Sequence, residues 1–284
     1  MNSFELSKNF FTGIMIVSDF DGTLRSDDGS VSDNNINAIK RFTDHGGKFM
    51  IASGRAEFVL DSISPIAKTL VNVPCILSNG SYLYDYKSRK RSYEKCLEPD
   101  NIREVLYMIR DIAPEAGIRI VRGEEYLTPD ENEEIKKQIA TGFMENVRVY
   151  TYENIPVDKI NKITICVNDE KVTEIRKALE AKYSDCFEIY MSWKTVLEIQ
   201  AKGISKGAML EFVRHKYIEN GDNITIYAVG DYENDIDMMK KADYACCPSN
   251  SLDIVKNICN IHLCSNNEGA IADLINKIEN GLVK

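Results

Sequence analysis

The chain has 284 residues, more than most single domains, and its 44% hydrophobic and 28% charged residues are typical of globular proteins and exclude disorder. Its formal net charge of -9 at pH 7 argues against a nucleic-acid partner, because nucleic-acid-binding surfaces are normally basic. The first residues show no apolar signal segment and no run reaches the roughly 20 apolar residues of a membrane span, so we expect a cytoplasmic protein without a membrane partner.

The first 81 residues alternate between strand and helix patterns. The apolar run "IMIV" (residues 14–17) is typical of a strand buried on both faces of a parallel sheet. "VSDNNINAIKRFTDHGG" predicts a helix capped by Ser32 or Asp33, "KFMIAS" a second strand, "AEFVLDSISPIAKTL" a helical stretch and "PCILSNG" a third strand. This order predicts an α/β fold with a doubly wound, Rossmann-like parallel sheet.

The middle of the chain has a different pattern. "SYLYDYKSRKRSYEK" predicts a hairpin, "PDNIREVLYMIRDIA" a helix, and "KITICVND" a strand that is followed by another helix. From residue 200 the chain returns to the pattern of the first segment. We therefore predict one core domain from residues 1–81 and 200–284, and an inserted α+β domain from residues 82–199.

Two aspartates follow the first predicted strand in "IMIVSDFDGTLRS" (residues 14–26). If the extended backbone persists, positions i and i+2 point the same way, so the carboxylates of Asp19 and Asp21 converge. A plain turn could use the same residue types. Two aligned carboxylates repel each other unless a charge neutralises them, so the pair favours a functional site.

Two further strand ends carry groups that suit an anion. "SGR" offers the Ser53 hydroxyl, backbone N–H groups around Gly54 and the Arg55 guanidinium, a set that binds phosphate. "SNG" adds Asn79 and Gly80. Each tripeptide also has an ordinary interpretation, the first as a helix N-cap and the second as a tight turn, so neither is specific alone.

Carboxylates are concentrated after the apolar strand "IYAV", in "GDYENDIDMM". Asp231, Glu233, Asp235 and Asp237 exceed what helix capping requires. Asp231 and Asp235, together with Asn234, would share a face once the helix begins. A hard cation is the natural counter-charge, and Mg²⁺ typically binds one or two carboxylates plus a substrate phosphate.

One lysine is in an unfavourable position. Lys206 in "GISKGAML" comes just after the predicted N-cap Ser205, where the helix dipole disfavours a cation. A solvated lysine is one interpretation. The other is that Lys206 holds an anionic nucleophile and a phosphate together.

The four motifs DxDGT, SGR, a later lysine and GDxxND occur here in one order, with a domain-sized insertion between them. In this they resemble the haloacid dehalogenase superfamily of aspartate-dependent phosphatases. Within it, the chain is similar to the Cof-type branch, which has a large α/β cap after the third core strand. The resemblance covers essentially the whole chain, although the cap matches by size and placement more than by motif.

The resemblance implies a role for each motif position. Asp19 would attack phosphorus and become an aspartyl-phosphate, while Asp21 would protonate the leaving alcohol and then deprotonate water, which requires a raised pKa. Ser53 and Lys206 would hold phosphoryl oxygens. The implied metal-binding positions are Asp19, Asp21 through its backbone carbonyl, Asp231 and Asp235. The implied substrate- or phosphate-binding positions are Gly54, Arg55, Asn79, Gly80 and Asn234.

The function expected from residues and resemblance is a Mg²⁺-dependent phosphatase for a small phosphorylated metabolite, a sugar phosphate being favoured. In this interpretation residues 82–199 select the substrate. A phosphomutase or phosphotransferase would use the same aspartyl-phosphate but pass the phosphoryl group to another hydroxyl. A signalling receiver also phosphorylates an aspartate at a strand end, but Asp21 and the insertion argue against it. The oligomeric state stays open.

Overall fold

The computed structural model describes residues 7–140, 147–221 and 223–283. In chain order its strands are β1 (Ile14–Ser18), β2 (Lys48–Ile51), β3 (Cys75–Leu77), β4 (Tyr82–Asp85), β5 (Lys90–Ser92), β6 (Gly117–Arg122), β7 (Glu125–Thr128), β8 (Val147–Val149), β9 (Ile160–Cys166), β10 (Phe187–Trp193), β11 (Val196–Ala201), β12 (Thr225–Val229), β13 (Tyr244–Pro248) and β14 (Ile261–Leu263).

The α-helices follow the same order. They are α1 (Asp33–Asp44), α2 (Glu57–Ile63), α3 (Ala67–Leu70), α4 (Ile102–Ile112), α5 (Glu133–Ala140), α6 (Asp169–Tyr183), α7 (Lys206–Glu219), α8 (Ile236–Lys241), α9 (Asp253–Lys256) and α10 (Ala270–Glu279). Within the described parts of the chain, no helix is long and apolar enough to cross a membrane.

The chain divides into two compact units. Unit 1 contains the residues up to Arg55, Leu60–Ser92 and the residues from Ser205 onward, and unit 2 contains Ala56–Val59 and Tyr93–Ile204. Residues 82–92, which the sequence pattern assigned to the insertion, lie in unit 1, because β4 pairs with β3 in one antiparallel sheet with β5. Residues 200–204, assigned to the core, lie in unit 2, since β11 continues to Ala201.

The main sheet of unit 1 is parallel, with strand order β14-β13-β12-β1-β2. Side chains alternate across it: Ile16 faces a core shared with α1 and α10, whereas Val17 faces a core shared with α7 and α8. A parallel bridge from Ala52 to Ile76 connects β2 to the start of the second, smaller sheet. Helices on both faces make this the doubly wound α/β core that the sequence predicted.

Unit 2 is an α+β structure around a six-stranded sheet of order β10-β11-β9-β6-β7-β8. Its strand pairs are antiparallel except β7 with β8. Ile163 and Ile165 of β9 pack into a core with residues of α4 and α6, among them Leu106 and Ile175. The predicted α+β insertion is therefore present as a separate layer of helices on a sheet.

The helical stretch predicted after "SGR" is divided. Helix α2 ends at Ile63 and α3 begins at Ala67. Pro65 lies between them, and proline lacks the N–H of a helix interior and disfavours helical backbone at the residue before it. The prediction of one helical stretch here was wrong at that residue.

Candidate active site

Asp19 lies at the end of β1 against the buried amine of Lys206. The strand ends at Ser18, and the Asp19 N–H donates to the Val229 carbonyl of β12 at 2.8 Å. Asp19 Oδ1 accepts a hydrogen bond from Lys206 Nζ at 2.5 Å, and the lysine side chain is 0% exposed. The prediction that Lys206 follows an N-cap is confirmed, because Ser205 Oγ accepts from the Ala208 N–H.

The ammonium group of Lys206 is shared with a second carboxylate. Nζ also donates to Asp235 Oδ1 at 2.7 Å. Burial opposes the charge of Lys206, but the carboxylates of Asp19 and Asp235 outweigh it and raise the pKa of the lysine. Lys206 is therefore held as a cation inside the fold, which explains why a lysine occupies the first turn of α7.

Three buried carboxylates form a cluster at this point. One oxygen from each of Asp19, Asp231 and Asp235 lies within 4.8 Å of the other two. Burial, and then repulsion by Asp235, raises the pKa of Asp231 to about 7. Burial raises the pKa of Asp19 well above its ordinary value against the pull of Lys206. The cluster has more negative charge than one lysine neutralises, so it favours a further cation.

The oxygens of Asp235 are largely used within the protein. Oδ1 accepts from Lys206, and Oδ2 accepts from the backbone N–H groups of Asp231 at 3.0 Å and Tyr232 at 3.1 Å. The sequence pattern predicted that Asp231, Asn234 and Asp235 share a helical face. Instead Asp231 precedes the short 3₁₀ turn Glu233–Asp235, and the Asp235 side chain accepts a hydrogen bond from the Asp231 N–H.

Gly22 allows the loop after β1 to approach Asp231 closely. Its φ is +75°, and a Cβ at this position would come 2.5 Å from Asp231 Oδ2. Thr23 then donates from Oγ1 to Asp231 Oδ1 at 2.7 Å. The "DGT" sequence therefore positions a carboxylate that lies 208 residues away in the chain.

Asp21 faces two arginines rather than the carboxylate cluster. Arg55 donates from Nε to Oδ2 at 2.5 Å and from Nη2 to Oδ1 at 2.9 Å, and Arg25 donates from Nη1 to Oδ1 at 3.3 Å. Burial acts to raise the pKa of Asp21, but the charges and hydrogen bonds of Arg55 and Arg25 outweigh it and lower the pKa. The prediction of a raised pKa for Asp21 was wrong, because two guanidinium groups stabilise the ionised carboxylate.

The "SGR" residues come shortly after β2, the strand at one edge of the parallel sheet. Ser53 is buried, and its Oγ accepts from the Arg55 N–H at 3.1 Å, so it stabilises the turn after β2. Gly54 and Arg55 are half-buried. The structure thus places the Arg55 side chain beside Asp21, and Ser53 lies in the same turn as Arg55.

The "SNG" residues connect three parts of unit 1. Asn79 has a left-handed backbone with φ 51°; its N–H donates to the Ser53 carbonyl, and its Oδ1 accepts from Asn234 Nδ2 at 3.1 Å. Gly80 has φ +99°, and a Cβ there would overlap the Ser205 carbonyl. Gly80 therefore lets this turn pack against the start of α7, which carries Lys206.

Arg25 and Asn250 contribute to the site but were missed by the sequence analysis. Asn250 Nδ2 donates to the Gly22 carbonyl at 2.8 Å, and no local pattern indicates a contact of such sequence separation. Arg25 had a usable signal, because it lies four residues after Asp21 in a short turn. Oppositely charged side chains at that spacing can meet.

Residues 16–275 match the sequence model of the haloacid dehalogenase-like hydrolases. The chain belongs to this family of haloacid dehalogenase-like hydrolases. The resemblance drawn from the four motifs is therefore confirmed, and so is the expectation that the chain is a phosphatase of this family.

Individual relatives match over nearly their whole length. The chain is 27% identical over 261 residues to the 5-amino-6-(5-phospho-D-ribitylamino)uracil phosphatase YcsE of Bacillus subtilis, covering 92% of this chain and 94% of the relative. Among solved structures it resembles SMU.1108c of Streptococcus mutans, with a TM-score of 0.81 and 24% identity, over 95% of this chain and 99% of that one. It also resembles the sugar phosphatase BT4131, with a TM-score of 0.78 and 19% identity, over 95% and 99%. At these identities the two structures establish the fold alone.

Proposed function

We propose that this protein is a Mg²⁺-dependent phosphatase that hydrolyses a small phosphomonoester through an aspartyl-phosphate on Asp19. The observation that carries the proposal is the contact between Asp19 Oδ1 and the buried ammonium of Lys206, at the carboxyl end of a parallel strand. Ligands of open α/β sheets bind at such strand ends. A lysine there offsets the repulsion between a carboxylate and an approaching phosphate.

The carboxylate cluster fits a divalent cation. The oxygens of Asp19, Asp231 and Asp235 are mutually within 4.8 Å, and hard oxygen donors are the ligands that Mg²⁺ prefers. Asp19 and Asp231 would be the main side-chain ligands, with the Asp21 carbonyl as the third protein ligand, since Asp235 is already engaged by Lys206 and two N–H groups. When bound, the cation would neutralise charge on the phosphoryl oxygens.

The reaction would proceed in two displacements. First, an oxygen of Asp19 forms a bond to phosphorus, the ester P–O bond breaks, and the departing alkoxide takes a proton from Asp21. Then water attacks phosphorus, the bond to Asp19 breaks, and Asp21 takes the proton of the water. Without substrate Arg55 and Arg25 hold Asp21 in its ionised form, which is the form that the second displacement needs. For the first displacement Asp21 would have to take up a proton from solvent when Arg55 leaves it for the phosphate ester.

The remaining predicted residues would bind the phosphate or orient its ligands. We assign Ser53, Gly54 and Lys206 to the phosphoryl oxygens, and Arg55 and Asn79 to the substrate. Asn234 holds the Asn79 side chain, and Gly80 allows the approach of α7, so we propose that both act by positioning rather than by direct contact.

A phosphorylated sugar or polyol is the substrate class we propose, with residues 82–199 selecting among its members. The relative YcsE is named for an ester of a phosphorylated ribityl chain, and BT4131 is described as a sugar phosphatase. Both descriptions concern those proteins. They support testing hydroxyl-rich phosphomonoesters first.

The test is release of inorganic phosphate from a panel of sugar phosphates, polyol phosphates and nucleotides, with Mg²⁺ and with a chelator. We expect Mg²⁺-dependent release that Asp19→Asn abolishes, while Asp44→Asn, an exposed aspartate at the end of α1, retains the activity. Isomerised sugar phosphate without phosphate release would instead identify a mutase. Full phosphatase activity of Asp19→Asn would overturn the proposal.

A further inference from the structure

Arg25 is held at two points by the turn in which it lies. Its Nε donates to the Gly29 carbonyl at 3.0 Å, while its Nη1 donates to Asp21 Oδ1 at 3.3 Å. Gly29 has φ +91°, and a Cβ there would come 2.8 Å from Arg25 Nη2. The turn therefore holds the partly exposed guanidinium and directs one edge of it at Asp21.

The backbone of Arg25 is fixed as well. Its N–H donates to the Phe20 carbonyl at 2.8 Å, and its own carbonyl accepts from Asn266 Nδ2 at 3.1 Å. Asn266 is buried, and the Phe20 side chain is 0% exposed. The backbone of Arg25 is thus held by the turn after β1 on one side and by the segment before α10 on the other, which fixes the point from which its side chain extends to Asp21.

Arg55, which follows β2, contacts the same carboxylate. Its two hydrogen bonds to Asp21 engage both carboxylate oxygens in a fork, the geometry in which arginine also binds phosphate oxygens. A phosphomonoester would compete with Asp21 for that fork. If Arg55 turned to the substrate, Asp21 would keep the contact with Arg25.

We propose that Arg25 is a positioning residue that holds the Asp21 carboxyl group in place for proton transfer while Arg55 binds the phosphate ester. The inference rests on the proposed function, and it goes beyond it by giving a role to a residue outside the four motifs. Arg25 acts through Asp21 and does not contact substrate. Its contribution is largest for esters whose leaving group is an alcohol, because an alkoxide departs only with a proton.

The test compares Arg25→Ala with the wild type on two substrates. For an alkyl phosphate we expect kcat to fall about 10-fold or more with KM changed less than about two-fold, because proton transfer is impaired and binding is not. For 4-nitrophenyl phosphate, whose leaving group needs little protonation, we expect kcat within about two-fold of wild type. Arg41→Ala is the matched control, since it removes an arginine in the last turn of α1 that pairs with Glu279 and not with Asp21.

Gly29→Ala provides an independent route to the same effect, because it displaces the Arg25 guanidinium without changing any charge. We expect the same dependence on the leaving group, and a double variant no worse than Arg25→Ala alone. A raised KM in Arg25→Ala, or equal losses on both substrates, would overturn the inference. A wild type without phosphatase activity would instead overturn the proposed function on which it rests.

Discussion

At the scale of single residues, the two aspartates after β1 have opposite surroundings. Asp19 faces a lysine and two other carboxylates, whereas Asp21 faces two arginines. Phe20 between them is buried in the core and faces away from both groups of partners. Because β1 ends at Ser18 and a turn begins, both aspartates lie beyond the strand, and each carboxylate meets its own partners.

The raised pKa of Asp231 leads to a testable dependence of stability on pH. Without a divalent cation, burial and Asp235 raise this pKa from 3.8 to about 7. Between these values the folded state keeps a proton that the unfolded state has lost, so the free energy of unfolding decreases as pH rises, by about 1.4 kcal/mol per pH unit. We expect the wild type in chelator to lose stability relative to Asp231→Asn between about pH 4 and pH 7.

Thermal unfolding of both proteins across this range measures the difference. Addition of Mg²⁺ should restore the stability of the wild type most strongly near pH 7, because the cation binds the ionised carboxylates. A difference between wild type and variant that stays constant with pH in chelator would show that Asp231 titrates normally.

At the scale of elements, strand β9 carries different side chains on its two faces. Ile163 and Ile165 face the helices of unit 2, while Lys162 and Thr164 alternate with them. Lys162 Nζ donates to Glu198 Oε1 of β11 at 2.5 Å, and both side chains are less than one-tenth exposed. A buried ion pair of this kind loses much when one partner is removed, since the other charge stays buried.

We expect Glu198→Gln to lower the free energy of unfolding by about 3 kcal/mol or more. The matched control is Glu174→Gln on α6, which breaks an exposed pair with Lys171 and should cost less than about 1 kcal/mol. Urea denaturation of both variants gives the comparison, and replacing Lys162 and Glu198 together by apolar residues should recover most of the loss. Equal effects of the two Gln variants would contradict a desolvated pair.

The elements also show what sequence patterns can predict. Strands β1, β2 and β12 were recognisable because strands buried on both faces are continuous apolar runs. Strands β6, β10 and β11 mix polar and apolar residues, and both β6 and β11 pair with β9, which is distant from them in sequence. The three-residue β14 and four-residue α9 are too short for a periodic signal.

At the scale of the whole molecule, the candidate site is assembled from strand ends that are far apart in the chain. Asp19 follows β1, Ser53 follows β2 and Asp231 follows β12 of the parallel sheet. Asn79 follows β3, which a parallel bridge joins to the residue after β2. That these strand-end residues belong to one site follows from the topology, so it was predictable from the sequence. The contacts of Arg25 and Asn250 were not, because they depend on how loops fold after the strands end.

The central claim is that Asp19 carries the phosphoryl group, and direct capture of that group tests it. The protein would be mixed with a substrate from the phosphate-release panel and Mg²⁺, quenched in acid within one turnover and reduced with borohydride, which converts an aspartyl-phosphate to homoserine. Mass spectrometry should find homoserine at position 19 of the substrate-treated protein, and not in a sample without substrate. Turnover in the same sample with position 19 recovered only as aspartate, and the phosphoryl group on another residue or on none, would contradict the account.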